Sequence, residues 1–148
     1  MKILAYRGKS IVSLAIKFQT RSPYSHVAIE LSGHEIYEAW HVGGVRRLRY
    51  RAEGHSPGTP VDVFRVDSPD HIDVDKVRAF LQAQVGKKYD FWSVGRFLSR
   101  RKAPANDKWF CSELVLAALE AGGCSLLHIN PSEATPRDVS ISPLLVKV

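Results

Sequence analysis

The sequence has few cysteines and no long apolar run, and each absence excludes a class of protein. Only two of its 148 residues are cysteines, Cys111 and Cys124, too few for a disulfide framework. Such low usage is typical of a reducing compartment. Near the N-terminus, Arg7, Lys9 and Lys17 interrupt every apolar stretch, so we expect neither a signal-peptide core nor a membrane span. We therefore expect the chain to stay in the cytoplasm, unless a route that needs no leader exports it.

The composition is that of a globular protein with an excess of positive charge. No repeat, low-complexity tract or linker divides the chain, so we expect one domain over residues 1–148. Hydrophobic residues make up 45% and charged residues 24%, enough for an ordinary core. The net charge of +6 predicts attraction to anionic surfaces such as nucleic acid, anionic lipid or an acidic cell-wall polymer, without choosing among them.

The first half of the sequence carries the alternating pattern of β-strands. In the stretch HVAIEL, from His26 to Leu31, apolar residues alternate with polar or small ones. The turn from Ser32 to His34 then predicts a hairpin. The segment Ile11–Phe18 has helical spacing instead. The predicted strands are Lys2–Tyr6, His26–Leu31, Glu35–Trp40, Val45–Tyr50 and Val61–Val66.

The second half carries helical spacing. We expect Asp73 to cap a helix that ends before Gly86, and Gly122-Gly123 to end another helix. Strands first and helices later predict an α+β domain, in which an antiparallel sheet packs against helices, and not an alternating parallel fold. The predicted helices are the one that follows Asp73, Tyr89–Leu98 and Phe110–Ala121.

Cys111 stands at the start of an apolar helix, in the segment WFCSELV. Backbone N–H groups at a helix start are unpaired and carry partial positive charge, so they stabilise a thiolate and donate to a developing oxyanion. This position makes Cys111 a candidate nucleophile, with a buried structural thiol as the alternative. We interpret Cys124 as structural, because it follows the glycines at the opposite end of the helix, too far from Cys111 for a disulfide.

A thiol nucleophile needs a base within hydrogen-bond reach, and six histidines compete for that role. We expect His34, His55 and His71 to be solvated, because they fall in turns or loops. His26 begins a strand directly after a turn-like segment and shares its face with the small Ala28, which leaves space for a partner. His26 is therefore the candidate base. The alternative is that His26 is a structural residue at a sheet edge, with its ring nitrogens already hydrogen-bonded.

The base also needs an acceptor that orients its second ring nitrogen. With a three-residue hairpin loop, Ala28 faces Glu38, and Glu38 is a diagonal neighbour of His26 on the same face. A two-residue loop moves Glu38 to the opposite face, because one step of register flips every side chain. If the loop has three residues, Glu38 is the predicted acceptor. Glu30, which also lies on the face of His26, is the alternative acceptor.

Three blocks carry a family resemblance: Tyr24-Ser25-His26-Val27-Ala28-Ile29, then Tyr37-Glu38-Ala39, then Phe110-Cys111-Ser112-Glu113-Leu114-Val115. Together they resemble the circularly permuted NlpC-type cysteine peptidases, the YiiX-like branch of the papain-like hydrolases. Gly86-Lys87-Lys88-Tyr89-Asp90 and Pro136-Arg137-Asp138 look like further pieces of this pattern. The blocks span most of the chain, and the histidine precedes the cysteine by 85 residues, as the permuted branch requires.

The resemblance implies a permuted papain-like fold with the nucleophile at a helix N-terminus. It implies Cys111 as nucleophile, His26 as base and Glu38 as the acceptor that orients the base. The implied chemistry is acyl transfer to water through a thioacyl-enzyme, without a cofactor. The implied substrate is a peptide, a cell-wall fragment, a lipid amide or an ester.

Several aromatic residues are candidates for binding the substrate. Tyr24 lies in the first matched block and is a candidate for lining the site or its oxyanion pocket. Large aromatic side chains more often pack in the core, and that alternative stays open for each of them. The candidates for an apolar cleft that suits an acyl chain are Trp40, Trp109, Phe91 and Trp92.

Two other classes of function stay open. The first is a catalytically silent papain-like domain that binds lipid or peptide. The second is a basic module for nucleic acid or a membrane surface, with a solvated outer sheet face as its alternative. No metal site is predicted, because Cys111, Cys124 and His128 fit no common zinc spacing. The basic residues behind the second class are Arg46, Arg47, Arg49 and Arg51, with Arg100, Arg101 and Lys102.

Overall fold

A computed structural model describes residues 1–32, 34–68, 71–90 and 108–148. In these ranges a six-stranded antiparallel sheet packs against helices, so the α+β class expected from the sequence is confirmed. None of the helices in the described ranges is both long and apolar enough to cross a membrane.

The strands of the sheet come from both ends of the chain, from β1 near the N-terminus to β8 near the C-terminus. The strands are β1 (Lys2–Tyr6), β2 (His26–Ser32), β3 (Glu35–Trp40), β4 (Gly44–Leu48), β5 (Val61–Val66), β6 (Lys88–Tyr89), β7 (Lys108–Trp109) and β8 (Leu145–Lys147). The helices are α1 (Ile11–Thr20), α2 (Val74–Gln84), α3 (Cys111–Ala121) and α4 (Pro136–Ser140), with a 3-10 turn at Pro131–Glu133. The sheet order is β4-β3-β2-β1-β5-β8, whereas β6 pairs with β7 in parallel.

Alternation along the strands gives the sheet two buried faces. On the helical face, Ile29 of β2 shares one core with Leu81 of α2 and Leu114 of α3. Each such fully buried side chain contributes about 1.5–3 kcal/mol relative to leaving it exposed. The opposite face carries a smaller apolar cluster of Leu4, Tyr6, Ala28, Ile36 and Leu48.

The segment between β4 and β5, residues 49–60, lies over this second face, and we call it loop 49–60. The Tyr6 hydroxyl donates to the Arg51 carbonyl oxygen at 3.0 Å. The Tyr6 ring also stacks on His55, with ring centroids 3.9 Å apart. The loop therefore closes over the polar side chains that share this face, among them Glu38.

Hydrogen bonds at the helix starts explain where α2 and α3 begin. The Asp73 side chain accepts from the Lys76 N–H at 3.0 Å, which is the predicted N-cap of α2. At α3 the Glu113 carboxylate accepts from the Phe110 N–H at 3.3 Å. The Ser112 hydroxyl donates to the Ala134 carbonyl oxygen, so the first turn of α3 is tied to the chain beyond the helix.

Two predicted elements differ from the structure. The strand predicted to run to Tyr50 ends at Leu48, because the Arg49 N–H donates to the Glu53 carboxylate at 2.6 Å and the chain turns away. Tyr89 lies in β6, where it pairs with Trp109, and does not begin a helix. The remainder of that predicted helix, with Phe91 and Trp92, and the basic cluster at 100–102 lie outside the described residues.

The approach of β4 to β6 requires a glycine at position 44. The Val45 N–H donates to the Lys87 carbonyl oxygen at 2.8 Å, and the Gly86 N–H donates to the Val45 carbonyl oxygen at 2.8 Å. Gly44 has a φ of +76°, and an added Cβ would overlap the Lys87 carbonyl group. Gly43 is also left-handed, with a φ of +89°, but has no atom within 4 Å of an added Cβ.

We expect Gly44→Ala to destabilise the protein more than its matched control Gly43→Ala. Both variants place alanine in a left-handed conformation, which costs about 1–2 kcal/mol. Gly44→Ala also displaces Lys87 and disturbs two hydrogen bonds, which adds about 1 kcal/mol or more. Urea unfolding monitored by circular dichroism gives both free energies, and equal losses in the two variants would contradict this account.

Candidate active site

The side chains of His26 and Glu38 meet across neighbouring strands. The Ile29–Tyr37 pair sets the register of β2 and β3, and its continuation places Ala28 opposite Glu38. A three-residue hairpin loop was expected to give this register, but the loop is shorter, because Ser32 pairs with Glu35. An irregularity between Glu30 and Ser32 shifts the pairing by one residue and so keeps Glu38 on the face of His26. His26 Nε2 lies 2.6 Å from Glu38 Oε2, which is hydrogen-bond distance between a buried imidazole and a buried carboxylate.

The Glu38 carboxylate is fully buried, and both of its oxygens accept hydrogen bonds. Arg46, opposite Glu38 on β4, donates to Oε1 from Nε at 2.8 Å and from a terminal nitrogen at 2.6 Å. His26 and His55 both approach Oε2, His55 at 3.2 Å. A buried carboxylate is tolerated only when it is paired and hydrogen-bonded, and Glu38 has three such partners.

His55 is the site residue that the sequence reasoning interpreted wrongly, since we expected it to be solvated. Its side chain is only 4% exposed, because loop 49–60 folds it between Tyr6 and Trp40. The preceding Gly54 has a φ of +73°, and an added Cβ there would overlap the Arg46 guanidinium group. No local pattern marks His55, because its contact with Glu38 depends on how an irregular loop closes.

The charges of this cluster shift two pKa values in opposite directions. Burial acts to lower the pKa of His26, but the Glu38 carboxylate and the Cys111 thiol outweigh burial and raise that pKa to about 10. Burial acts to raise the pKa of Glu38, but the charges and hydrogen bonds of His26 and His55 hold it well below its usual range. The favoured state at neutral pH is therefore an imidazolium on His26 beside an ionised Glu38.

Cys111 is the second partner of His26. It is the first residue of α3 and is 1% exposed, and it acts together with Glu38 to raise the pKa of His26. Glu38 takes Nε2 of the imidazole, so Nδ1 is the ring nitrogen that remains for a second partner. The imidazole thus interacts with a sulfur at a helix start and with a buried carboxylate, a combination that can hold a thiolate and move a proton.

A cavity of about 340 Å³ opens beside His26 and His55, whereas Cys111 and Glu38 are not among its described lining residues. His26, Trp40 and His55 form part of its wall, and residues of α1 and its N-terminal approach form another part. Trp40 meets the His26 ring edge to face at 5.1 Å between centroids. Of the aromatic candidates for substrate binding that lie within the described residues (Tyr24, Trp40 and Trp109), Trp40 is the one that lines this cavity.

Tyr89 is a further lining residue that was not singled out from the sequence as a site residue. Burial raises its pKa, and the nearby charges of Cys111 and Asp90 raise it further. The phenol therefore keeps its proton at neutral pH and remains a hydrogen-bond donor near the sulfur. In the sequence, the only sign that Tyr89 could belong to the site is its position in the matched block Gly86–Asp90.

The structure does not bring Tyr24 and Trp109 to this cavity. The Tyr24 hydroxyl donates to the Asp62 carboxylate at 2.7 Å, and its ring packs edge-on against Phe64. Trp109 Nε1 donates to Gln84 Oε1 at 3.2 Å, so its indole points to α2. Neither is among the described residues that line the cavity, because both side chains already have partners in the core or on a helix.

The arginines from position 46 to 51 do not form one continuous basic surface. Arg46 points inward to Glu38, and Arg51 pairs with the Glu30 carboxylate at 2.7 Å. Glu30 is thereby engaged by Arg51 and is not the acceptor of His26. Because β4 ends at Leu48, Arg51 lies beyond the strand that carries Arg46 and Arg47.

No protein-family model and no curated protein sequence matches this chain. The α+β fold with its antiparallel sheet does have a counterpart among solved structures. The crystal structure of metalloprotein yiiX from Escherichia coli O157:H7 superposes with a TM-score of 0.71 at 22% identity, over 99% of this chain and 94% of that one. The chain therefore has a YiiX-like fold, and at this identity the likeness concerns the fold alone.

We expect Glu38→Gln to lower the pKa of His26 from about 10 toward or below its ordinary value of 6.5. The amide keeps the shape of the carboxylate but removes its charge, so burial of the imidazolium is no longer offset. NMR titration of the His26 ring measures this shift directly. Glu30→Gln is the matched control, because Glu30 shares the face of His26 but pairs with Arg51; it should leave the His26 titration unchanged.

The same shift predicts how stability depends on pH. The folded-state pKa of His26 lies above its unfolded value, so its contribution to stability is fully present below pH 6.5 and is lost as pH rises through about 10. The free energy of unfolding should therefore fall between pH 7 and 10 in the wild type and change less in Glu38→Gln. A His26 that titrates near pH 6.5 in the wild type would refute both expectations.

Proposed function

We propose that the protein is a cysteine hydrolase that cleaves an acyl bond through a thioacyl-enzyme, with Cys111 as nucleophile and His26 as base. The observation that carries this proposal is the hydrogen bond of His26 to the buried Glu38, together with the raised pKa of His26, to which Cys111 at the start of α3 contributes. Glu38 serves as the orienting acceptor, since it binds Nε2 and favours the imidazolium. His55 and Arg46 are positioning residues, because they act on Glu38 and through it on the imidazole.

In the acylation step, the Cys111 thiolate attacks the carbonyl carbon of the substrate. The backbone N–H of Cys111, at the start of α3, donates to the oxyanion that forms. The Tyr89 phenol is a second donor candidate, because it stays protonated beside the sulfur. The His26 imidazolium gives its proton to the leaving amine, the carbon–nitrogen bond breaks, and a thioester on Cys111 remains.

In the deacylation step, water replaces the leaving group. Neutral His26 takes a proton from the water, the hydroxide attacks the thioester carbonyl, and the carbon–sulfur bond breaks. The products are a carboxylic acid and the Cys111 thiolate, with the proton on His26. The enzyme returns to its starting ion pair, so the cycle consumes only substrate and water and needs no cofactor.

The fold and the order of the site residues support a place in the permuted NlpC-type branch, as one domain over 1–148. The YiiX-like fold agrees with the family resemblance of the sequence blocks. The base lies on β2 and the nucleophile starts the later α3, which is the order that distinguishes the permuted branch. The cavity combines polar walls with Val12, Ile16 and Trp40, which suits a peptide, a cell-wall fragment or an acyl amide or ester.

A metal site is the second candidate, because the similar yiiX protein is called a metalloprotein. Among the described residues, His26, Glu38 and His55 offer ligand atoms within 4.8 Å of one another. Two ligands on one tetrahedral zinc ion lie about 3.3 Å apart, given bonds of about 2.0–2.1 Å. The 2.6 Å between His26 Nε2 and Glu38 Oε2 fits a shared proton, and Arg46 already neutralises Glu38, so these residues do not fit a metal as they stand.

We expect iodoacetamide to alkylate Cys111 at least tenfold faster than Cys124, because only Cys111 has a helix start and an imidazole beside it. Cys124 is a matched internal control, since both thiols are 1% exposed and burial alone predicts equal rates. Peptide mass spectrometry over time separates the two sites. If Cys111 reacts no faster than Cys124, and Cys111→Ala leaves total labelling unchanged, the hydrolase proposal fails.

A hydrolysis screen with peptidoglycan fragments, N-acyl amides and lipid esters tests the activity itself. On any cleaved substrate, Cys111→Ala should lower kcat at least about 10³-fold, since loss of a covalent nucleophile removes the pathway. His55→Gln should lower kcat by a smaller factor and shift the pH profile, because it acts through Glu38. Activity should survive pretreatment with EDTA; a loss that zinc restores would favour the metal site instead.

A further inference from the structure

Helix α1 turns its apolar side toward solvent. Ile11, Leu14, Ala15 and Phe18 follow the spacing i, i+3, i+4, i+7, which normally marks the buried side of a helix. Here Ile11 is 86%, Leu14 53% and Phe18 89% exposed. We call these four residues the α1 stripe. The side of α1 that packs on the protein is instead represented by Ile16 and Thr20.

Such a stripe differs from scattered surface hydrophobic residues, which need no explanation. Contiguous exposed apolar side chains on one element mark an interaction site. An amphipathic helix of this kind buries its apolar side in a second copy, in another protein or in the headgroup region of a membrane. The charges around the stripe decide among these occupants.

The segment that carries α1 has charges of one sign only. The segment from Arg7 to Ser25 contains four cationic residues and no Asp or Glu. Arg7 is engaged by Asp62, which leaves Lys9, Lys17 and Arg21. Lys17 and Arg21 flank Phe18 along the helix, and Lys9 precedes the N-cap Ser10. The α1 stripe is thus bordered by three cations, with Lys17 on the helix, Arg21 at its C-cap and Lys9 just before its N-cap.

From this pattern we infer that α1 docks the protein on an anionic membrane surface, with the stripe in the headgroup region and the three cations against lipid phosphates and carboxylates. Juxtamembrane cations gain from the negative surface of such a bilayer, and apolar side chains gain from leaving water. The net charge of +6 adds a general attraction of the same sign.

A second copy of the chain is the less favourable occupant. In a twofold dimer the same patch meets itself, so the α1 stripes would pack together. Lys9, Lys17 and Arg21 of both copies would then be brought close, with no acidic residue of the same segment to pair with them. An anionic surface provides negative groups that pair with these cations, whereas a second copy of this helix brings like charges together and repels them.

The position of α1 connects this surface to the candidate active site. Lys9, Val12 and Ile16, from the helix and its approach, line the cavity that also holds His26. Docking through α1 therefore places the cavity at the bilayer surface. The membrane binding stands by itself, but a membrane-borne acyl substrate for the cavity rests on the hydrolase function proposed above.

The test is flotation of the full chain with vesicles of phosphatidylcholine alone or mixed with phosphatidylglycerol. We expect the wild type to bind the mixed vesicles at least tenfold more strongly than the neutral ones. The stripe variant Ile11→Ser/Phe18→Ser and the charge variant Lys17→Glu/Arg21→Glu should each lose at least tenfold of that binding. Ile11, Lys17 and Phe18 lie on α1 and Arg21 is its C-cap, and none of the four is buried, so the variants should keep the wild-type circular dichroism spectrum.

Matched controls separate the α1 stripe from general effects. Tyr50→Ser/Ile141→Ser removes two exposed apolar side chains elsewhere. Lys76→Glu/Arg137→Glu changes net charge by the same amount as the charge variant. Both controls should bind like the wild type. Equal losses in controls and α1 variants would overturn the proposal in favour of a general electrostatic field.

Two further measurements decide the remaining outcomes. Sedimentation velocity over a range of concentrations should show the same species for wild type and stripe variant. A dimer that Ile11→Ser/Phe18→Ser dissociates would overturn the membrane proposal. Cys111 alkylation in solution keeps the two proposals apart: vesicle binding with an unreactive Cys111 refutes the hydrolase alone, whereas a reactive Cys111 without vesicle binding refutes the docking alone.

Discussion

Burial of the Glu38 carboxylate is the constraint on which the rest of this structure depends. Removing such a charge from water costs several kcal/mol unless partners compensate, and a half-satisfied cluster would be worse than an apolar one. The partners come from three separate elements: His26 from β2, Arg46 from β4 and His55 from loop 49–60. The sheet register and the closure of that loop are therefore both required before this side chain can be ionised and buried.

The charges also account for the state of the imidazole. Glu38 accepts from Arg46 on one carboxylate oxygen and pairs with His26 on the other, so the buried imidazolium has a negative partner and the pKa of His26 is raised. The hydrolase proposal adds a Cys111 thiolate as a second negative partner of the same ring.

The two faces of the sheet have different coverings. The helical face is a conventional apolar core, and Cys111, Leu114 and Leu119 of α3 all belong to it. The other face is covered by loop 49–60, which is able to carry a buried histidine because Gly54 permits close approach to Arg46. The proposed site combines Cys111 of the first face with His26 and Glu38 of the second.

The sequence by itself determined the α+β class, the existence of the hairpin and the helix that starts at Cys111, because period-two alternation, turn residues and caps are local properties. The register of that hairpin stayed open in the sequence, and an irregularity between Glu30 and Ser32 decided it. Only the tertiary structure decided that His55 joins Glu38, that Tyr24 and Trp109 point elsewhere, and that α1 exposes its apolar stripe. These depend on contacts between residues distant in sequence, which no local pattern encodes.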